Sequence, residues 1–286
     1  MDFAAKRAVV TGAASGIGEA IAAELAARGA RVLLADIDEA GLEASAAAIG
    51  DAAAWQRCDV SDHAQVEALA ATARERMGGC DFVFANAGVI TTGRMVKMKP
   101  ADVDWILGVN VRGAWSTAAV FARMMQDQPD GGHVVFTGSE HSLGFQHAGA
   151  AIYTASKHAV LGLAEVLRAE APANLKVSVF CPGLVATALG GSPRPERSAH
   201  PSPQSEASRM VQARGMTARE AAQRALDGVA EGAFYIVTHP HSLRAAETRF
   251  HEVEQAFAAQ APWFEGAEKW DVNVVMAEVA AELKKR

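Results

Sequence analysis

In the stretch AIYTASKHAV (151–160), Tyr153 and Lys157 stand four residues apart, and the chain has only two tyrosines. At that spacing both side chains share one face of a helix. An ammonium is then held beside a phenol, and a nearby cation favours phenolate. A free phenol, with a pKa of about 10, is a poor proton acceptor at neutral pH.

A second group of residues is suited to holding phosphate. In VVTGAASGIGEAIAAELAARGA, Gly12, Gly16 and Gly18 form a G-x-x-x-G-x-G turn between an apolar run and a helical one. Residues without side chains let the backbone approach a ligand closely. The start of the helix offers unpaired N–H groups and a positive dipole end to a pyrophosphate. The next apolar run, RVLLAD, ends in Asp36. A carboxylate there can accept hydrogen bonds from the adenosine ribose hydroxyls and repels a 2′-phosphate. Its neighbours are Ala14, Ser15 and Ile37 rather than Arg or Lys, which leads to an expectation of NAD rather than NADP.

The elements that must position these groups are legible as short apolar runs: 7–11, 31–36, 81–86, 133–138, 176–181 and 234–238, with 52–58 a weaker seventh. They are nearly continuous rather than alternating, as strands buried on both faces of a parallel sheet are. Helix-like segments at about 16–29, 39–49, 62–77, 102–127, 152–171 and 217–231 lie between them. This alternation predicts one α/β domain, a doubly wound, Rossmann-type, seven-stranded parallel sheet with helices on both faces. The domain is expected to span 1–286, with its core at 6–238. The segment at about 188–215 contains the proline-rich stretch 190–206 and reads as a lid loop. The tail, 240–286, reads as a helical extension.

The net charge of −6 provides no basic field for nucleic acid or an anionic membrane. No run reaches the roughly 18 apolar residues of a membrane span, and MDFAAKRAVV lacks the apolar core of a signal peptide. Cys58, Cys80 and Cys181 are odd in number and far apart, consistent with a reduced, cytoplasmic chain.

The motifs follow one another as they do in the short-chain dehydrogenase/reductase family. TGAASGIG resembles that family's opening motif, CDV (58–60) its adenine-contacting Asp-Val, and ANAGV (85–89) its Asn-Asn-Ala-Gly, with Ala85 departing from the pattern. VNVRG (109–113) resembles the segment carrying its helix asparagine, and FTGS (136–139) the one carrying its serine. YTASK (153–157) is similar to its Tyr-x-x-x-Lys, and CPGLVAT (181–187) to the Pro-Gly segment covering the nicotinamide. The match covers about residues 6–238.

The resemblance implies hydride transfer between a secondary alcohol or ketone and NAD. Tyr153 is then the acid/base, with its pKa lowered by Lys157 and the nicotinamide charge. Lys157 would also hold the nicotinamide ribose. Ser139 would stabilise charge on the substrate oxygen, with Ser142 as the alternative, since the spacing from Ser139 to Tyr153 suggests a small insertion. Asn110 would anchor a water linking Lys157 to solvent. The implied cofactor contacts are Gly12, Ser15, Gly16, Ile17, Gly18, Asp36, Asp59, Val60, Asn86 and Gly88. Tyr153, Lys157, Pro182, Gly183, Val185 and Thr187 complete that set, with Val185 and Thr187 fixing the carboxamide.

The resemblance requires no metal, and a homotetramer or homodimer through 102–127 and 152–171 is expected. His239 and His241 read as helix-start residues, while His141 and His147 are either cleft or plain loop residues. Trp105, Trp115 and the RMM run at 123–125 read as core or subunit contacts. The tail also resembles that of the aryl Cα-dehydrogenase subgroup, which points to a hydrophobic or aromatic substrate. The competing readings are a non-catalytic dinucleotide sensor or scaffold, and a lyase or dehalogenase on the same fold. Retention of Asn110, Ser139, Tyr153, Lys157, Asp36 and the glycine turn argues against both.

Overall fold

The computed structural model describes residues 2–187, 189 and 206–284. The chain begins with β1 (Arg7–Thr11), α1 (Gly16–Ala27), β2 (Arg31–Asp36), α2 (Glu39–Ile49), β3 (Ala53–Arg57), α3 (His63–Met77) and β4 (Phe82–Ala85). It continues through α4 (Pro100–Leu107), α5 (Ala114–Gln126), β5 (Gly132–Thr137), α6 (Glu140–Leu143), α7 (Ala151–Glu170) and β6 (Leu175–Cys181). Then come β7 (Val185–Ala186), α8 (Glu206–Gln212), β8 (Met216–Thr217), α9 (Ala218–Glu231), β9 (Tyr235–Val237), α10 (Ser242–Gln260) and α11 (Val272–Leu283). Most of the stretch read as a lid, 190–205, lies outside the described residues.

Seven strands form one sheet in the order β3-β2-β1-β4-β5-β6-β9, and every pairing is parallel. The apolar runs are continuous because both faces are covered. Val9, Leu33, Val83, Val134 and Phe136 point into a core shared with α3, α5 and α7. Their neighbours Val10, Leu34, Phe82, Phe84 and Val135 point into a second core shared with α1 and α9. Asp38 and Asp62 cap α2 and α3, and Thr217 with Glu220 forms a capping box on α9. Strand order reverses between β1 and β4, and the crevice beyond their carboxyl ends is where such sheets bind ligands.

The helix expected over 102–127 is α4 and α5 joined by a π-helical turn, Gly108–Gly113. Gly113 is required there, since a Cβ on it would lie 2.6 Å from Val60 Cγ2. The short α6 and the β7–β8 pair were not anticipated: each is too brief to show a period. Cys58, Cys80 and Cys181 are buried free thiols whose pKa values burial raises, to about 12 for Cys58 and Cys181. Among the described residues no helix is long and apolar enough to cross a membrane, and no cluster of metal-ligating side chains forms.

One core residue makes stability sensitive to pH. His133 is buried in β5 beside Ser178 Oγ, 2.8 Å from its Nε2, while its Nδ1 has no partner. Burial pushes its pKa down to about 4. The unfolded chain binds this proton below about pH 6.5, whereas the folded protein does not until near pH 4. Stability is therefore fully present above pH 6.5 and falls as the pH drops towards 4. Urea unfolding is expected to lose about 2 kcal/mol between pH 7 and 4.5 through this group. His133→Leu is expected to flatten that part of the profile.

Candidate active site

The glycine turn follows β1 directly. Gly12 and Gly16 have φ of +69° and +61°, values open to glycine but strained for other residues. A Cβ at Gly18 would lie 2.0 Å from the Gly12 carbonyl oxygen. Ser15 is the N-cap of α1, yet its side chain accepts no capping bond. The first-turn N–H groups, including those of Ile17 and Gly18, are thus left to an external acceptor. Thr187, after β7, lies against Gly16: a Cβ on the glycine would sit 3.2 Å from its side chain. A cavity of about 670 Å³ opens here, lined by Gly16, Glu19, Thr187 and Arg209 among others. It borders the glycine turn but not Tyr153.

Asp36 ends β2 and accepts hydrogen bonds from the backbone N–H groups of Ala14, at 3.1 Å, and Asp38, at 3.1 Å. Each oxygen keeps a lone pair for a ligand hydroxyl. The β2–β3 register places Arg57 opposite Asp36, a nearby cation that the reading of sequence neighbours missed. Its guanidinium leans towards Glu39, at 3.8 Å.

Three expected cofactor contacts also have structural roles within the protein. Asp59 Oδ1 accepts from the Ser61 N–H at 2.9 Å and the Ser61 hydroxyl at 2.7 Å, forming the turn into α3. The Val60 side chain lies in the core, so ligand contact there falls to backbone. Asn86 Nδ2 donates to the Thr11 carbonyl at 3.0 Å, and its Oδ1 accepts from Thr137 at 3.2 Å. Asn86 therefore staples β1, β4 and β5 together and holds the glycine turn's backbone in place.

The four expected catalytic residues converge at the carboxyl end of β5. Lys157 is buried, and its ammonium donates one hydrogen bond, to the Thr137 carbonyl at 2.8 Å. It sits 5.7 Å from the centre of the Tyr153 ring. Gly88 lies against the pair behind the phenol: Asn110 Oδ1 and Lys157 Nζ are each 3.6 Å from the point a Cβ there would occupy. Asn110 sits in the π-helical turn. It accepts from the Val89 N–H at 2.8 Å and donates to the Val89 carbonyl at 2.9 Å and to Ser156 at 3.0 Å. Both its N–H donors are committed, so a water held by its side chain would have to use Oδ1.

The structure separates the two serines. The Ser142 hydroxyl donates to the Lys157 carbonyl at 2.7 Å and braces α6 against α7. Ser139, the N-cap of α6, accepts from the His141 N–H at 3.3 Å, and its hydroxyl lies near enough to Tyr153 to oppose the rise of the phenol's pKa. The proton affinities depart from expectation. Burial raises the Tyr153 pKa to about 12, opposed by the Ser139 hydroxyl and reinforced by the Glu140 charge. Burial also pulls Lys157 down to about 8. Desolvation outweighs the mutual effect of phenol and ammonium in the protein alone.

Glu140, His239, His241 and Ser242 brace the site. The Glu140 N–H donates to the Pro182 carbonyl at 2.9 Å, and its buried carboxylate accepts from His241 Nε2 at 3.0 Å and the Ser242 hydroxyl at 2.7 Å. His239 Nδ1 accepts from the Gly183 N–H at 3.1 Å, and its Nε2 donates to the Leu184 carbonyl at 3.2 Å. The HPH motif thus ties the tail to both loops of the site. Val185 is buried in β7, paired with Met216. The His141 ring meets Tyr153 edge to face at 5.2 Å, whereas His147 is exposed.

Residues 6–198, about two thirds of the chain, match the family model described as short chain dehydrogenase. The chain belongs to the short-chain dehydrogenase family of oxidoreductases. This short-chain dehydrogenase is 34% identical over 266 residues to 1-deoxy-11-beta-hydroxypentalenate dehydrogenase of Streptomyces avermitilis, covering 91% of this chain and 94% of that one. Its fold superposes with a TM-score of 0.84 on a short-chain dehydrogenase/reductase from Burkholderia phymatum crystallised with NAD, at 35% identity over 92% of this chain and 99% of that one. LigO from Sphingobium sp. strain SYK-6, in its apo form, gives a TM-score of 0.79 at 28% identity, covering 97% of this chain and 98% of that one.

Proposed function

We propose that this short-chain dehydrogenase interconverts a secondary alcohol and its ketone using NAD, with a hydrophobic or aromatic substrate. The observation that carries the reading is the convergence of Ser139, Tyr153, Lys157 and Asn110 beside a glycine turn whose helix start is uncapped. The residues present fit the dinucleotide. The uncapped first turn of α1 suits a pyrophosphate, and Asp36 has open lone pairs for a ribose. Lys157 is a buried ammonium with two unused donors. When bound, NAD would accept the hydride from the alcohol carbon and place a positive ring beside the phenol.

Tyr153 takes the hydroxyl proton in oxidation and returns it in reduction. Ser139 donates to the substrate oxygen as charge develops on it. Lys157 supplies the positive charge beneath both and keeps donors for the ribose, and Asn110 holds the Val89 backbone over the ammonium. Val185 and Thr187 offer a backbone group and a hydroxyl for the carboxamide. His141 and Phe145, packed edge to face at 5.4 Å next to Tyr153, give the substrate side an aromatic wall. That wall, with the tail resemblance, supports a bulky apolar substrate. Exposed Trp115 on α5 and Val166 on α7 support assembly of copies through these helices.

The test is NADH formation with a panel of aryl and small aliphatic secondary alcohols. Faster turnover of the aryl alcohols is expected, and preference for the small ones would sink the substrate assignment. Asp36 decides the cofactor. Asp36→Ala combined with Ile37→Arg removes the repulsion of a 2′-phosphate and adds a cation. The ratio of kcat/KM for NADP over NAD is expected to rise by about a hundredfold. An unchanged ratio would show that Asp36 does not meet the ribose.

A further inference from the structure

The C-terminal arm carries an apolar pattern that no other described part of the chain covers. On α10, Leu243, Ala246, Phe250, Val253 and Phe257 follow one another at alternating spacings of three and four residues. On α11, Val272, Met276, Val279 and Leu283 do the same. This is the narrow seam of helices that pack knobs-into-holes, not the broad face of a helix lying on a sheet. The large side chains of both seams are between 46% and 66% exposed. From Phe250 to Lys284 no residue is buried. Trp263 and Trp270, in the turn joining the helices, are exposed as well.

We infer that this arm is a pairing element, and that its occupant is the arm of a second copy of the chain. Two seams of the same pattern on one chain are self-complementary about a two-fold axis, which brings four matching helices together. Burying them with the two tryptophans would remove on the order of 1,000 Å² per chain from water, the share a stable interface takes. Residues 250–286 hold seven acidic against four basic side chains, a balance that disfavours an anionic membrane as the occupant. Neither seam includes a residue of α5 or α7.

The arm is anchored at the catalytic loop. The Ser242 hydroxyl and His241 bond the Glu140 carboxylate, Arg249 reaches His158, and a Cβ on Gly144 would lie 2.9 Å from Ala246 Cα. Pairing of the arms would thus press the start of α10 onto the segment that carries Ser139.

The test is the solution mass of the full chain by light scattering at micromolar concentration. Two double variants, Phe250→Glu with Phe257→Glu and Met276→Glu with Val279→Glu, put charge into the seams. Each is expected to halve the mass while far-ultraviolet circular dichroism stays unchanged. Phe250→Leu with Phe257→Leu keeps the seam apolar and is expected to keep the mass. A monomeric full chain, or glutamate variants with the parent mass, would overturn the proposal. Binding of the full chain to anionic vesicles, lost in the same glutamate variants with no change of mass in solution, would assign the seam to lipid and overturn it as well.

Discussion

Tyr153→Phe is expected to lower turnover by a factor of about 10³–10⁴, with NADH binding changed less than about threefold. The substitution keeps the ring that packs against His141 and removes only the hydroxyl. No cavity forms, so the loss reads out proton transfer rather than folding. Burial holds the phenol protonated, with a pKa of about 12 in the protein alone. In reduction it is therefore ready to donate. In oxidation the phenolate must be generated, and a positive charge close to the ring has to offset the cost of burial. Equal losses of turnover and NADH affinity would instead assign Tyr153 a binding role. Steady-state rates in both directions, with a fluorescence titration of NADH, distinguish the two.

The second large effect combines a gain with a loss. Lys157→Met is expected to stabilise the protein without cofactor while lowering turnover at least about a hundredfold. The ammonium is buried with one hydrogen bond, and burial takes its pKa from 10.5 to about 8. The unfolded chain holds this proton up to about pH 10.5, whereas the folded protein releases it near 8. The penalty is therefore full below pH 8, on the order of 3 kcal/mol, and fades as the pH rises to 10.5. Leaving the Thr137 carbonyl without its partner costs about 1 kcal/mol in return. At pH 7 the variant should gain about 2 kcal/mol by urea unfolding. The parent should gain about 2 kcal/mol between pH 7 and 9.5, and the variant should show no such rise. A variant less stable than the parent at pH 7 would mean that the ammonium is better solvated than its surroundings suggest. A site that strains its own fold in this way is the usual cost of a preorganised charge.

Much of this arrangement was legible before the fold. Continuous apolar runs reported a sheet buried on both faces, and all seven strands fall within a residue or two of the runs that announce them. The placement of Gly12, Gly16, Asp36, Tyr153 and Lys157 was readable because it depends on local spacing, a turn after a strand or one helical face. What escaped was contact between distant segments. Glu140 and His241 are 101 residues apart, and nothing near either in the chain shows that the carboxylate fastens the tail. Arg57 reaches the neighbourhood of Asp36 only through the β2–β3 register. That Asn86 also staples the sheet was hidden, because its side-chain partners lie on β1 and β5. The direction of the Tyr153 pKa was hidden for a related reason: spacing shows the cation, while burial depends on everything packed around the phenol.

The central claim, a dinucleotide site selective for NAD beside a proton-transfer pair, is tested most directly by titrating the full protein with NADH and with NADPH. Energy transfer from tryptophan to the reduced nicotinamide provides the signal. Saturable NADH binding in the micromolar range is expected, displaced by NAD, with NADPH weaker by about tenfold or more. No saturable NADH binding, or tighter binding of NADPH, would contradict the account.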